Sequence, residues 1–263
     1  MKRKYIYQTL PAGEVIPEGW IRNQLYRDLE EGYIGRFDQV HPTVTHDVFI
    51  RQDRTSNRQL NPRKEWWSGE HEGYWKDSVI RMAFLTGHQK YQELSKRWID
   101  DLISHQGADG YIGIYRDCQE PHCRFTHTGG NGELWATSRI LMAMLAYFEF
   151  TDDKKVWDAA VRSARLIMEK YRDKNYFINR GKGGGVSHGI GFFEILEWLF
   201  RLTGDPAYTE FAVNLYGDFN LGMARDDDLK TGHLLSDDRK FHKHGAHVAE
   251  GLFVPEMIHW IEG

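Results

Sequence analysis

Three junctions of one kind punctuate this chain, and together they restrict it to helices packed in antiparallel pairs. Phe84-Leu-Thr-Gly-His-Gln-Lys-Tyr91, Phe150-Thr-Asp-Asp-Lys-Lys-Val-Trp157 and Leu202-Thr-Gly-Asp-Pro-Ala-Tyr208 each close one helical apolar pattern and open another within a few residues. Short connections of that sort join antiparallel helical neighbours. Thr86, Thr151 and Thr203 stand 65 and 52 residues apart, about the spacing of a two-helix unit with a long return loop.

The patterns on either side of each junction differ. The segment 74–86 is apolar almost all round (Val79, Ile80, Met82, Phe84, Leu85), whereas 89–105 carries one stripe: Tyr91, Leu94, Trp98 and Leu102. The contrast returns in 132–150 against 154–171, and in 189–202 against 207–219. A helix apolar all round is buried, and a striped one faces solvent on its other side. Each hairpin therefore has an inner helix followed by an outer one. The expected fold class is all-α, of the (α/α)6-toroid type, with an open helical-repeat scaffold as the competitor. The 263 residues hold three full hairpins and the start of a fourth, so the toroid is expected to be incomplete.

We read one partial catalytic-type domain over 1–263, with an N-terminal helix and surface loop at 17–65 and the hairpins at 66–263. Ile21, Leu25 and Leu29 mark the first helix by their spacing of four. Residues 35–65 are polar and aperiodic and read as a long surface excursion. Asp109-Gly-Tyr-Ile-Gly-Ile-Tyr115 is at most a short ribbon. Inner helices need neighbours on both sides, which predicts marginal stability or self-association of the chain.

A net charge of -4 and pI near 6.4 give no footing for nucleic acid or an anionic membrane. No apolar run is long enough to span a bilayer. The start, Met1-Lys-Arg-Lys, is followed by no apolar segment. As written the chain reads as cytoplasmic, or as periplasmic or secreted if a leader has been removed. Its two cysteines imply no disulfide framework. Cys118, His122, Cys123 and His127 are zinc-type ligands. Adjacent His122 and Cys123 rarely face one ion, however, so the competing reading is a loop whose His127 points into a pocket. No metal or other cofactor is assigned on these residues. No phosphate-binding Gly-x4-Gly-Lys-Ser/Thr, Gly-x-Ser-x-Gly elbow or His-Glu-x-x-His is present.

Inner helices that all come first in their hairpins run parallel, so the segments leading into them are expected to share one mouth. Those segments hold Trp66-Trp-Ser-Gly-Glu-His-Glu-Gly-Tyr-Trp-Lys-Asp77, Arg124–Glu133, Gly183–His188 and Lys240–His247. Aromatic faces stack on sugar C–H faces, and paired carboxylic groups protonate leaving oxygens and activate water. Candidate substrate-binding residues are Trp67, Glu70, His71, Tyr74, Asp77, His127, Glu133, His188 and His247, with an oligosaccharide as partner. Each has a plainer reading. The aromatics serve equally as core, and Glu70, Glu72 and Asp77 serve as charges favoured near a helix N-terminus. No catalytic residue is assigned.

Several stretches resemble one family. Leu10-Pro-Ala-Gly-Glu-Val-Ile-Pro-Glu-Gly-Trp-Ile-Arg-Asn-Gln-Leu25 is similar to the start of glycoside hydrolase family 127, the β-L-arabinofuranosidase family and its relatives. Glu72–Asp77, Gln106–Gly113, Glu133-Leu-Trp-Ala136 and Leu202–Tyr208 follow in the same order. The resemblance implies a six-hairpin toroid acting on glycans rich in L-arabinose or related pectic sugars. It also implies a cysteine nucleophile at a zinc site of cysteines and a glutamate, so zinc enters only as what the resemblance implies for the complete protein, and the cofactor reading of this chain is none. Those positions lie beyond the stretches matched here. His247 and His188 match pocket histidines of the family. After Glu133-Leu-Trp the family's Cys-Ala-Gly-His is replaced by Ala136-Thr-Ser-Arg139, which points to a divergent branch. Two other readings stand beside the hydrolase: an unsaturated-uronyl hydrolase using Asp77, and a non-catalytic helical-repeat module binding carbohydrate or protein.

Overall fold

The computed structural model describes residues 9–40, 47–52, 67–118, 123–126, 132–173, 176–179, 184–237 and 240–262. Among these, no strand occurs. The principal helices are α1 (Gly19–Glu30), α2 (Trp67–Thr86), α3 (Gln89–Ser104), α4 (Glu133–Thr151) and α5 (Lys154–Lys170). They are followed by α6 (Phe192–Thr203), α7 (Pro206–Leu221), α8 (Gly245–Gly251) and α9 (Phe253–Glu262).

All three junctions end their helices by the same chemistry. The hydroxyls of Thr86, Thr151 and Thr203 donate to the carbonyls of Met82, Tyr147 and Leu199 at 2.6, 2.8 and 2.6 Å. The next residue in each case turns the chain with positive φ: Gly87 at 71°, Asp152 at 55° and Gly204 at 68°. At the third junction Asp205 accepts from the Ala207 N–H at 3.0 Å, and Pro206 occupies the first turn of α7. A threonine that occupies an i−4 carbonyl, followed by a left-handed residue, stops one helix and aims the next.

The chain divides into two compact units. The first contains the described residues up to 114 together with 139–163. Its core gathers Leu29, Trp75, Val79, Ala83 and Tyr91, with Ile34, Phe37, Met82, Leu94 and Trp98 packed against them. The Trp75 indole donates to the Ile34 carbonyl at 2.7 Å, and the Tyr91 hydroxyl donates to the Leu29 carbonyl at 2.5 Å. Those two bonds fix α1 and its following turn against α2 and α3.

The second unit contains 115–138 and 164–262. Phe192, Phe193, Ile195, Leu196 and Leu199 of α6 are fully buried. Helix α7 keeps the expected single stripe at i, i+3, i+4, i+7 spacing, with Ala207, Glu210 and Asn214 exposed opposite it. Tyr208, Phe211, Ala212, Leu215, Tyr216 and Phe219 are all buried, because α7 packs on α6 and also on α9.

Three expectations need correction. The segment 67–73 is helical from Trp67 onward, so the residues read as a loop ahead of 74–86 form the first turns of α2. Within the expected surface excursion, Val48–Arg51 forms a short helix whose Val48 and Phe49 are buried. Its apolar Val-Phe-Ile run repays burial, and Glu72 secures it. The 109–115 stretch forms turns, with Tyr111, Ile112, Ile114 and Tyr115 buried.

Candidate functional site

In the first unit, α2 places four of the expected residues on one face. Trp67, Glu70, His71 and Tyr74 follow i, i+3, i+4, i+7 spacing, and all four are half-buried. Glu72, Trp75, Lys76 and Val79 occupy another face and are buried. The Trp67 and His71 rings lie 5.1 Å apart. The Arg139 guanidinium of α4 sits 5.2 Å from the Tyr74 ring centre and donates to its hydroxyl at 3.4 Å. Two aromatic faces, an imidazole and a carboxylate thus form one row with an edge open to solvent.

Glu72, Asp77 and Glu133 each make bonds that hold the fold. Glu72 is fully buried; it accepts from Lys76 Nζ at 2.7 Å and from the Val48 N–H at 2.8 Å. Asp77 accepts from Arg81 Nε with both oxygens, at 2.8 and 2.9 Å. In the second unit Glu133 is fully buried and accepts from the Phe125 N–H at 3.0 Å and the Tyr171 hydroxyl at 2.5 Å. Glu72 is structural through these bonds, which tie the first residue of the Val48–Arg51 helix to α2. Asp218, which carried no expectation, does the same for the Phe177 and Ile178 N–H groups at 2.7 and 3.2 Å. A carboxylate accepting from buried N–H groups makes strong charge-assisted bonds.

A different group assembles in the second unit. His188 opens the turn His188–Gly191 ahead of α6, Asp226 lies in the loop after α7, and His247 lies in α8. The His188 and His247 ring centres are 3.6 Å apart, and His244 lies 4.4 Å from His247. His247 Nδ1 is 3.1 Å from Asp226 Oδ2. A carboxylate can only accept, so Nδ1 carries the proton in this pair. That bond holds the Asp226 carboxyl below its ordinary range. The Asp226 N–H donates to Ser187 Oγ at 3.1 Å, which fixes the loop beside His188. Burial, and then the neighbouring charge of His247, push His188 down to about 3, so its imidazole is neutral at ordinary pH. Trp135 stands edge-on to His188, with ring centres 4.9 Å apart. Ser187, Ile190, Asp226, Asp228, Leu229 and His247 line a narrow cleft with a volume of about 10 Å³. Asp228 accepts from the His242 and Lys243 N–H groups at 2.7 and 2.8 Å, setting the strand of chain that leads into α8.

Within the second unit the structure brings His188 and His247 together, and within the first it lines up Trp67, Glu70, His71 and Tyr74. His122 and His127 lie outside the described residues. Sequence reasoning missed Asp226 and Asp228. Their signal was the run Arg225-Asp-Asp-Asp-Leu-Lys230 just ahead of a segment carrying His233, His242, His244 and His247.

Helical hairpins bearing aromatic faces, imidazoles and carboxylates suit a carbohydrate-processing domain. Comparison with protein families agrees: residues 22–249 match the β-L-arabinofuranosidase, GH127 catalytic domain, and the chain belongs to that family. No curated protein and no solved structure matches it. No helix among the described residues is long and apolar enough to cross a membrane.

The two cysteines present do not supply the cysteine-based zinc centre, which the resemblance places beyond the matched stretches. The only two cysteines, Cys118 and Cys123, are joined in a disulfide, with Cα atoms 5.4 Å apart. The sequence implied no disulfide framework, and the structure forms this single bond. The Arg124 N–H donates to the Arg116 carbonyl at 3.0 Å, and that reversal brings the two cysteines together. A disulfide offers no thiolate to bind zinc or to attack a sugar.

Proposed function

We propose that this chain acts as a glycoside hydrolase on L-arabinose-containing or related pectic glycans of plant cell walls. The observation that carries the reading is the family match across 22–249. The α2 row supports it. Trp67 and Tyr74 offer stacking faces to a sugar ring, and Glu70 and His71 offer hydrogen bonds to its hydroxyls. The Cys118–Cys123 bond favours an oxidising compartment, such as the periplasm or the exterior. Asp77, the residue an uronyl hydrolase would use, is engaged by Arg81, which speaks against that alternative.

A panel of aryl arabinosides and unsaturated uronides tests the proposal by calorimetric binding and release of the aryl group. Arabinosides are expected to bind, and Trp67→Ala or Tyr74→Ala to weaken binding roughly 3- to 10-fold, the worth of a lost aromatic stack. Binding of uronides alone would overturn the arabinoside reading. An unchanged affinity in both variants would remove the α2 row from the site.

A further inference from the structure

We infer that His188, Asp226 and His247 form a binding site for one divalent transition-metal ion of the zinc type. The site shares no residue with the α2 row or with Cys118 and Cys123. One potential ligand atom from each of the three side chains lies within 4.8 Å of the others. Two donors about 2.1 Å from a tetrahedral zinc ion sit about 3.4 Å apart. The Asp226 Oδ2 and His247 Nδ1 pair, at 3.1 Å, already has nearly that separation. Zinc binding there replaces the proton on His247 Nδ1, which is released to solvent, and His188 offers the third donor within 4.8 Å.

The donor set has the chemistry of such an ion. Two imidazoles and one carboxylate suit zinc and its neighbours, and leave coordination positions open to water or a substrate oxygen. Calcium and magnesium prefer all-oxygen ligands. The ligands come from three separate stretches of chain, and each is positioned. Ser187 holds the Asp226 backbone, Trp135 packs against His188, and Asp228 holds the segment preceding α8. Ile190, Leu229 and Val248 give the cleft an apolar wall. Oriented ligands inside an apolar shell are what tune metal affinity. Gly251 lets α8 approach that wall, since a Cβ there would lie 2.4 Å from Leu229 Cδ1.

The test uses the 263-residue chain without an affinity tag, stripped with chelator, incubated with zinc and dialysed. Metal is counted by mass spectrometry, and cobalt substitution reports ligand geometry through its visible absorption. One zinc per chain is expected, with affinity at least about 10-fold weaker in His247→Ala and in Asp226→Asn. Both positions are only partly buried, so these variants avoid removing the buried His188, and circular dichroism checks their folding. His242→Ala serves as the control and is expected to keep its zinc. Absence of bound zinc in the unmodified chain would overturn the site. So would retention of zinc by both ligand variants, or its loss in His242→Ala alone. If His247→Ala loses sugar affinity while the unmodified chain binds no zinc, His247 contacts sugar directly and the metal assignment fails, with the glycosidase reading intact.

Discussion

The Tyr171 hydroxyl donates to Glu133 at 2.5 Å, tying the end of α5 to the first residue of α4 within the second unit. The same carboxylate holds the Phe125 N–H, so one buried side chain gathers three stretches of chain. Hydrogen bonds to a charged group contribute about 1.5–3 kcal/mol, so Tyr171→Phe is expected to lower stability by that amount. Glu133→Ala is expected to cost more, because it also abandons the Phe125 amide. Urea denaturation of both variants and the double variant measures this. Additive losses would show that the two groups do not act as a unit.

Gly73 has the opposite character, since its value lies in what it lacks. A Cβ at this position would lie 2.5 Å from the Arg139 Cβ and 2.8 Å from its carbonyl carbon. Alanine in a helix interior ordinarily gains up to about 1 kcal/mol over glycine. Here overpacking against backbone, worth about 1–3 kcal/mol, outweighs that gain. Gly73→Ala is therefore expected to lower the thermal midpoint. A midpoint that rises would show that α2 and α4 are not in close contact at this point.

Glu72 and Lys76 form an ion pair with both side chains buried. Removing one member leaves an uncompensated charge, and Lys76→Met is expected to destabilise by about 3–5 kcal/mol. Replacing both, as Glu72→Leu with Lys76→Met, is expected to recover part of that loss. The recovery is incomplete because the Val48 N–H also loses its acceptor. Chemical denaturation of the three variants completes the cycle, and a double variant no better than Lys76→Met alone would refute the pairing.

Much of this was legible in the residues. Thr86, Thr151 and Thr203 marked the hairpin turns because helix termination is local: one hydroxyl, one carbonyl and one left-handed residue decide it. Buried helices declared themselves by unbroken apolar character, and Val79, Ile80, Leu141 and Leu196 are all fully buried. The start of α2 was less legible. Its first turns are polar on one side, and periodicity alone reads Trp67 to Gly73 as a loop. The roles of the acids were illegible, since Glu70, Glu72 and Asp77 look alike along the chain, yet only Glu72 is fully buried.

By itself, then, the sequence determined helical hairpins, their junctions and the family, because periodicity, capping and ordered motifs are properties of neighbouring residues. Only the tertiary structure decided which polar side chains face one another. It gave Glu72 to the first amide of the Val48–Arg51 helix and Glu133 to a loop amide, joined Cys118 to Cys123, and set Asp226 between Ser187 and His247. Those partners lie between 5 and 39 residues apart in the chain. A spacing pattern registers faces of a helix, but packing alone determines what stands across from them.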